Sequence, residues 1–146
     1  MKSHLRVLVP VLIGFLFAML GATQSNAQIT NDVRAHIDHS FIIGNTTLPP
    51  GDYIFRMMQG SALSLMTATN ENDKASVGFI VREAIDDHTP RHTELTFRKY
   101  GNTEFLNKIF EHGNKIGVEV TESSRQEAQL VEQGQHAILH TEEQQQ

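Results

Sequence analysis

The chain contains no cysteine. Disulfides, thiol nucleophiles and thiolate metal sites are therefore excluded, and the fold has to rest on packing and hydrogen bonds. A bacterial lipoprotein is excluded too, because its acyl chains need a cysteine at the cleavage point. Tryptophan is also absent, and only Tyr53 and Tyr100 combine an aromatic ring with a polar tip. An exposed aromatic platform of the kind sugar-binding sandwiches use has almost no material here. Basic residues are scarce, 12 against 17 acidic ones. Neutralising phosphates takes a clustered excess of Lys and Arg, so nucleic acid is not an expected partner, and anionic lipid is disfavoured for the same reason.

Long apolar runs are confined to one place. Lys2, His4 and Arg6 precede an apolar stretch from Val7 to Leu20, and Ser25-Asn26-Ala27 has the small-x-small form of a cleavage site. The stretch falls short of the roughly 20 residues of a membrane-spanning helix. Residues 1–27 are therefore expected to be a secretory signal peptide, cleaved near Ala27 to leave a soluble, secreted or periplasmic protein with no membrane span. With Lys2 and Arg6 gone, ten basic residues face seventeen acidic, a net charge of −7 with histidines neutral.

The mature part alternates with period two. Val33, Ala35, Ile37, His39, Phe41 and Ile43 fall on one face and Arg34, His36, Asp38 and Ser40 on the other, a half-buried strand that Gly44-Asn45 ends. Pro49-Pro50-Gly51 reads as a type II turn with Gly51 at positive φ. Strands are expected over Asp52–Met58, Ala62–Thr69, Lys74–Ala84, His92–Tyr100, Thr103–Phe110 and Lys115–Val120, with turns at Gln59-Gly60-Ser61, at 70–73, at Gly101-Asn102 and at His112-Gly113-Asn114. The adjacent apolar pairs Phe105-Leu106 and Ile109-Phe110 break alternation, as a bulge or a strand buried on both faces would. Seven short strands without intervening helices indicate an all-β domain over 28–120, a small antiparallel β-sandwich or barrel.

Composition shifts after Val120. Ser124-x-x-Glu127 reads as a capping box opening a helix near Arg125 whose apolar stripe is Ala128, Val131 and Ile138, with Gly134 weakening its middle. Residues 121–146 are expected to be this helix and a flexible Glu/Gln tail, an appendage that the β-domain does not need.

No catalytic constellation is complete. Gly60-Ser61-Ala62-Leu63-Ser64 lacks a nucleophile elbow, and Asp86-Asp87, Glu83 and Glu94 read as solvated carboxylates rather than an acid/base pair. No catalytic or cofactor-binding residue is assigned, and an enzyme is not the expected reading. Met57, Met58 and Met66 offer thioethers for Cu(I), but core filling explains them as well. Histidine pairs at 36/39, 88/92 and 136/140 are weighed against ordinary surface imidazoles. On a strand His36 and Asp38 share a face, and His92 or Glu94 completes a zinc or copper site if the His92–Tyr100 strand lies beside the first one. His36, Asp38 and His92 are thus the candidate metal ligands.

Phe41-Ile42-Ile43-Gly44-Asn45-Thr46-Thr47-Leu48-Pro49-Pro50-Gly51-Asp52-Tyr53, followed by Phe97-Arg98-Lys99-Tyr100-Gly101 and Phe105-Leu106, resembles a family of small secreted acidobacterial proteins with the pattern F-x-V-G-x-x-x-L-P-A-G-x-Y. The similarity runs from about Val33 to Gln129. It implies export and an all-β domain, and carries no activity. Pro50 replaces a small residue of that pattern. His39 stands where an aromatic is usual, so a buried imidazole there needs a polar partner. The expected function is that of a binding or structural module with an envelope or extracellular partner, with a metal-binding protein or a hydrolase as the alternative. Oligomeric state is not fixed by these features.

Overall fold

Hydrophobic alternation makes this chain a sheet, and its turns decide how that sheet curls. The computed structural model describes residues 32–60, 64–122 and 124–144. The expected signal peptide and its Ala27 cleavage point lie outside the described residues, as does Ser61 of the first hairpin turn.

The ten strands are β1 (Val33–Ile37), β2 (Phe41–Ile43), β3 (Thr46–Leu48), β4 (Gly51–Met57), β5 (Leu65–Asn70), β6 (Ser76–Ile85), β7 (Thr93–Tyr100), β8 (Thr103–Phe110), β9 (Ile116–Val120) and β10 (Ile138–Gln144). One helix, α1 (Arg125–Glu132), precedes β10. Antiparallel pairing runs β1-β4-β5-β6-β9-β8-β7-β10. The β2-β3 hairpin joins β8 through a parallel contact of Ile42 with Phe105.

The sheet wraps an apolar cluster to which β1 through β9 all contribute, and among the described residues no ladder closes it. Phe41, Tyr53, Phe55, Phe79 and Phe97 are its largest buried side chains. Phe41 meets Tyr53 and Phe97 edge to face, with centroids 5.1 and 5.9 Å apart. Such contacts favour a positive ring edge against a negative face. Tyr53 donates its buried hydroxyl to the Pro49 carbonyl at 2.6 Å, which ties the Pro49-Pro50 bend to the strand it opens.

Several expectations need correction. The long first strand is broken at Asp38-His39-Ser40, because β1 pairs with β4 while β2 crosses to β8. Gly51 has the positive φ expected of it, 158°, but that is far from the roughly 80° of a type II turn, and the residue is already paired with Ile37 in β4. Its small size serves the neighbouring Asn70, whose Nδ2 would lie 3.0 Å from an added Cβ. Both readings of Thr103–Phe110 hold, since the strand is largely buried and Asn107 has no partner between Leu106↔Phe97 and Lys108↔Thr96. That extra residue puts Leu106 and Ile109, three apart, into the same core.

The C-terminal segment departs most. Its last seven described residues are not a flexible tail but strand β10, paired with β7 from Thr93 to Lys99. Gly134 does not weaken a helix middle. At φ 80° it ends α1, and the bonds Gly134 N to Val131 O and Gln135 N to Leu130 O form a Schellman closure. The expected apolar stripe does not face the core, because Val131 and Ile138 are exposed and Ile138 belongs to β10.

Candidate functional site

The break between β1 and β2 brings side chains from distant strands to one rim. Asp38 and His39 occupy the break, Glu104 is the second residue of β8, Lys99 the last but one of β7, and His140 and Glu142 come from β10. Alternation along β10 makes His140, Glu142 and Gln144 its half-buried side chains, so both titratable groups turn inward. His39 Nδ1 lies 3.2 Å from Asp38 Oδ1 and 3.1 Å from Glu142 Oε1. Its Nε2 faces Glu104 Oε2 at 3.2 Å but off hydrogen-bond alignment, and this buried nitrogen has no other polar partner among the described residues. The imidazole packs edge-on against Phe97 at 5.1 Å and lies 5.9 Å from the His140 ring. A histidine at a position expected for an aromatic thus keeps a ring contact while gaining carboxylate neighbours.

Glu104 is the best-buried member of the cluster, with 5% of its side chain exposed. Lys99 Nζ at 2.6 Å and His140 Nδ1 at 2.8 Å donate to it. Burial pushes its carboxyl up, but these two bonds and the nearby His39 outweigh burial and hold it below the ordinary carboxylate range. Glu142 is shifted the other way. Burial raises it, repulsion from Asp38 and Glu104 adds to that, and the attraction of His39 and His140 does not cancel the rise.

The cluster borders an open groove of about 370 Å³ lined by His36, Asp38, Glu142, Glu143 and Gln144. The groove lies where the two ends of the pairing path, β1 and β10, approach each other. Gln144 Oε1 accepts from the His36 backbone N–H at 2.8 Å across that gap.

Of the sequence candidates, Asp38 is in the cluster and His36 lines the same groove, with its ring turned to Asp52 Oδ1 at 2.7 Å. His92 is elsewhere, in a second groove with Arg91, His112 and Gln144. β7 lies beside β8 and β10 rather than β1, so neither His92 nor Glu94 is carried to Asp38 by strand pairing, and the trio His36, Asp38 and His92 does not assemble. Among the described residues, the potential ligand atoms that lie within 4.8 Å of one another are those of Asp38, His39 and Glu142. Glu142 was hidden in a polar tail, while His39 was marked by its pairing with His36 and by its core-facing position, where a buried imidazole needs a polar partner.

The other histidine and methionine groupings do not become sites. His136 follows α1 and His140 lies on β10, so they share no helical face. His88 bonds Asp86 at 2.6 Å within its own loop. Met66 is in the core, opposite Met57, while Met58 is exposed. Neither tyrosine is a platform, since both are buried.

A second polar assembly holds α1. Arg98 makes a two-pronged pair with Glu127, Nε to Oε1 at 2.6 Å and an Nη to Oε2 at 3.1 Å, and also donates to Asn107 Oδ1. Tyr100 donates to Glu127 Oε1 at 3.2 Å. Glu127 was expected to close a capping box, but its carboxylate is taken up by Arg98 and Tyr100. Ser124 still caps, accepting from Gln126 N, and Asn45 of the β2-β3 turn accepts from Arg125 N.

Comparison with protein-family models, with curated proteins and with solved structures finds no match to this chain.

Proposed function

We propose that the protein is an exported all-β binding module of the bacterial cell envelope, secreted or periplasmic after removal of residues 1–27, and that it acts by binding rather than by catalysis. Its sheet is read as a small open barrel whose unpaired seam is the working surface. Membership of the acidobacterial family that the Leu48-Pro49-Pro50-Gly51 and Phe97-Arg98-Lys99-Tyr100-Gly101 motifs resemble is part of the same proposal. The observation that carries it is the groove between β1 and β10, where charged and amide side chains from the two ends of the chain converge. Binding sites commonly combine a concave surface with a few convergent polar groups.

The test uses a photo-crosslinking amino acid introduced at Glu143, on the groove, or at Asp73, on the β5-β6 turn, in cells that process the full chain. A discrete adduct from position 143 and none from 73, on a protein whose amino terminus is Gln28, is the expected result. Retention of the leader, or a substrate-specific hydrolytic activity in the purified protein, overturns the reading.

A further inference from the structure

We propose that Asp38, His39 and Glu142 bind one divalent transition-metal ion of the zinc class at the rim of the β1/β10 groove, with Glu104 positioning the imidazole. The proposal deepens the binding reading by naming a ligand for that surface. Three observations carry it.

The first is spacing. Ligand atoms that share an ion at about 2.0–2.2 Å stand roughly 3.0–3.5 Å apart for angles between octahedral and tetrahedral. The separations of 3.2 and 3.1 Å from His39 Nδ1 to the two carboxylates fall in that range. Hydrogen bonds from a protonated Nδ1 have the same lengths, so spacing alone leaves proton and metal as rivals for one position.

The second is the far side of the ring. His39 Nε2 is buried without an aligned acceptor, yet Glu104 Oε2 is 3.2 Å away. With an ion on Nδ1 the ring proton resides on Nε2, and a small ring rotation turns that N–H onto Glu104. A carboxylate behind a ligating histidine fixes its tautomer and orientation, and Glu104 is itself fixed by Lys99 and His140. The arrangement gives the buried Nε2 an acceptor.

The third is access and donor type. Asp38 is 82% exposed and Glu142 and Asp38 both line the groove, so an ion can enter from solvent and complete its coordination with water. One imidazole with two carboxylates suits Zn²⁺, Co²⁺, Ni²⁺ or Cu²⁺. Ca²⁺ prefers all-oxygen sets, and Cu(I) prefers sulfur.

The experiment is calorimetric titration of ZnCl₂ into tag-free, chelator-treated mature protein, with the visible spectrum of the Co²⁺ form as a second readout. One ion per chain is expected, with D38N and E142Q each weakening association at least tenfold. E104Q is expected to weaken it about 10–100-fold and to change the Co²⁺ spectrum. H92A, in the other groove, leaves affinity unchanged. His39→Ala removes the Phe97 contact and is open to misfolding, so the groove-lining variants D38N and E142Q decide. Absence of saturable binding overturns the proposal, as does binding that survives the D38N/E142Q pair or is lost in H92A. Zinc binding that fails while the position-143 adduct persists removes the metal and leaves the groove as a binding surface.

Discussion

The two elements after Val120 are both held by charged side chains, yet by opposite means. Helix α1 is pinned by Glu127, gripped by the Arg98 guanidinium and the Tyr100 hydroxyl, with half-buried Leu130 packing on Ile42, Tyr100 and Phe105. Strand β10 is held by a seven-residue ladder to β7, and its inward side chains meet histidines and carboxylates at a solvent-open rim. An arginine keeps its charge at any ordinary pH and its fork matches a carboxylate, so α1 has a fixed latch. A histidine–carboxylate pair carries opposite charges only while the imidazole is protonated, so the β10 rim lacks such a permanent latch. The backbone secures β10, whose inward side chains engage Glu104, His39 and the His36 N–H; for α1 the main attachment is one side chain.

Removing the strand breaks this comparison most severely. A chain ending at Gly134 loses the β7 ladder and the cover over His39 and Phe97, at a cost on the order of 5 kcal/mol out of the roughly 5–15 available to a domain of this size. Urea unfolding is expected to show a much earlier midpoint. An unchanged midpoint makes β10 the appendage that composition suggested.

Glu127→Ala should cost about 3 kcal/mol, because it leaves the partly buried Arg98 without its carboxylate. Thermal melts check this, and a loss under about 1 kcal/mol relegates the pair to the class of surface ion pairs.

A subtler difference concerns pH. Burial first, and then the Glu127 charge, raises Tyr100 above its ordinary value. The sign follows directly: the folded state holds the phenol proton more tightly than the unfolded chain does. This stabilisation is complete below the ordinary tyrosine range and is lost as pH climbs through the raised value. Absorbance titration at 295 nm is expected to resolve a late-titrating tyrosine that is missing in Y100F. In E127Q it should titrate earlier but not at the ordinary value, since burial remains.

The smallest effect is reserved for the opposite end of the sheet. Arg34 pairs with Glu71 at 2.7 Å in largely open solvent, and Arg34→Ala should change stability by less than about 0.5 kcal/mol. A loss of 2 kcal/mol would show that exposure does not separate the strong ion pairs of this fold from the weak ones.

The strands from β4 to β9 were legible because each carries an apolar alternation bounded by turn residues, and Phe105-Leu106 with Ile109-Phe110 even betrayed the bulge at Asn107. What escaped has one physical cause. Ile138–Gln144 has no continuous buried face, and it is a strand because β7 offers it backbone partners. The Glu127 carboxylate likewise obeys Arg98, 29 residues away, instead of its local capping position. Asp38 was found from its strand face, while the contacts that give it a role, His39 and above all Glu142, depend on where β10 lands. Local pattern reveals elements, and a site assembled across a seam is visible only once the ends have met.

The side-chain amide of Gln144 has a consequence for self-association. Among the described residues β1 is an edge strand, and an edge whose N–H groups are unfilled is a template on which another chain can grow. At the seam the His36 N–H is already occupied by Gln144, so the molecule stoppers its own edge with a side chain from its far end. Charged and imidazole groups at Arg34 and His36 add to that protection. A chain clipped before Gln144 would therefore be the one to watch for ordered aggregation and for exchange of β10 between copies at high concentration.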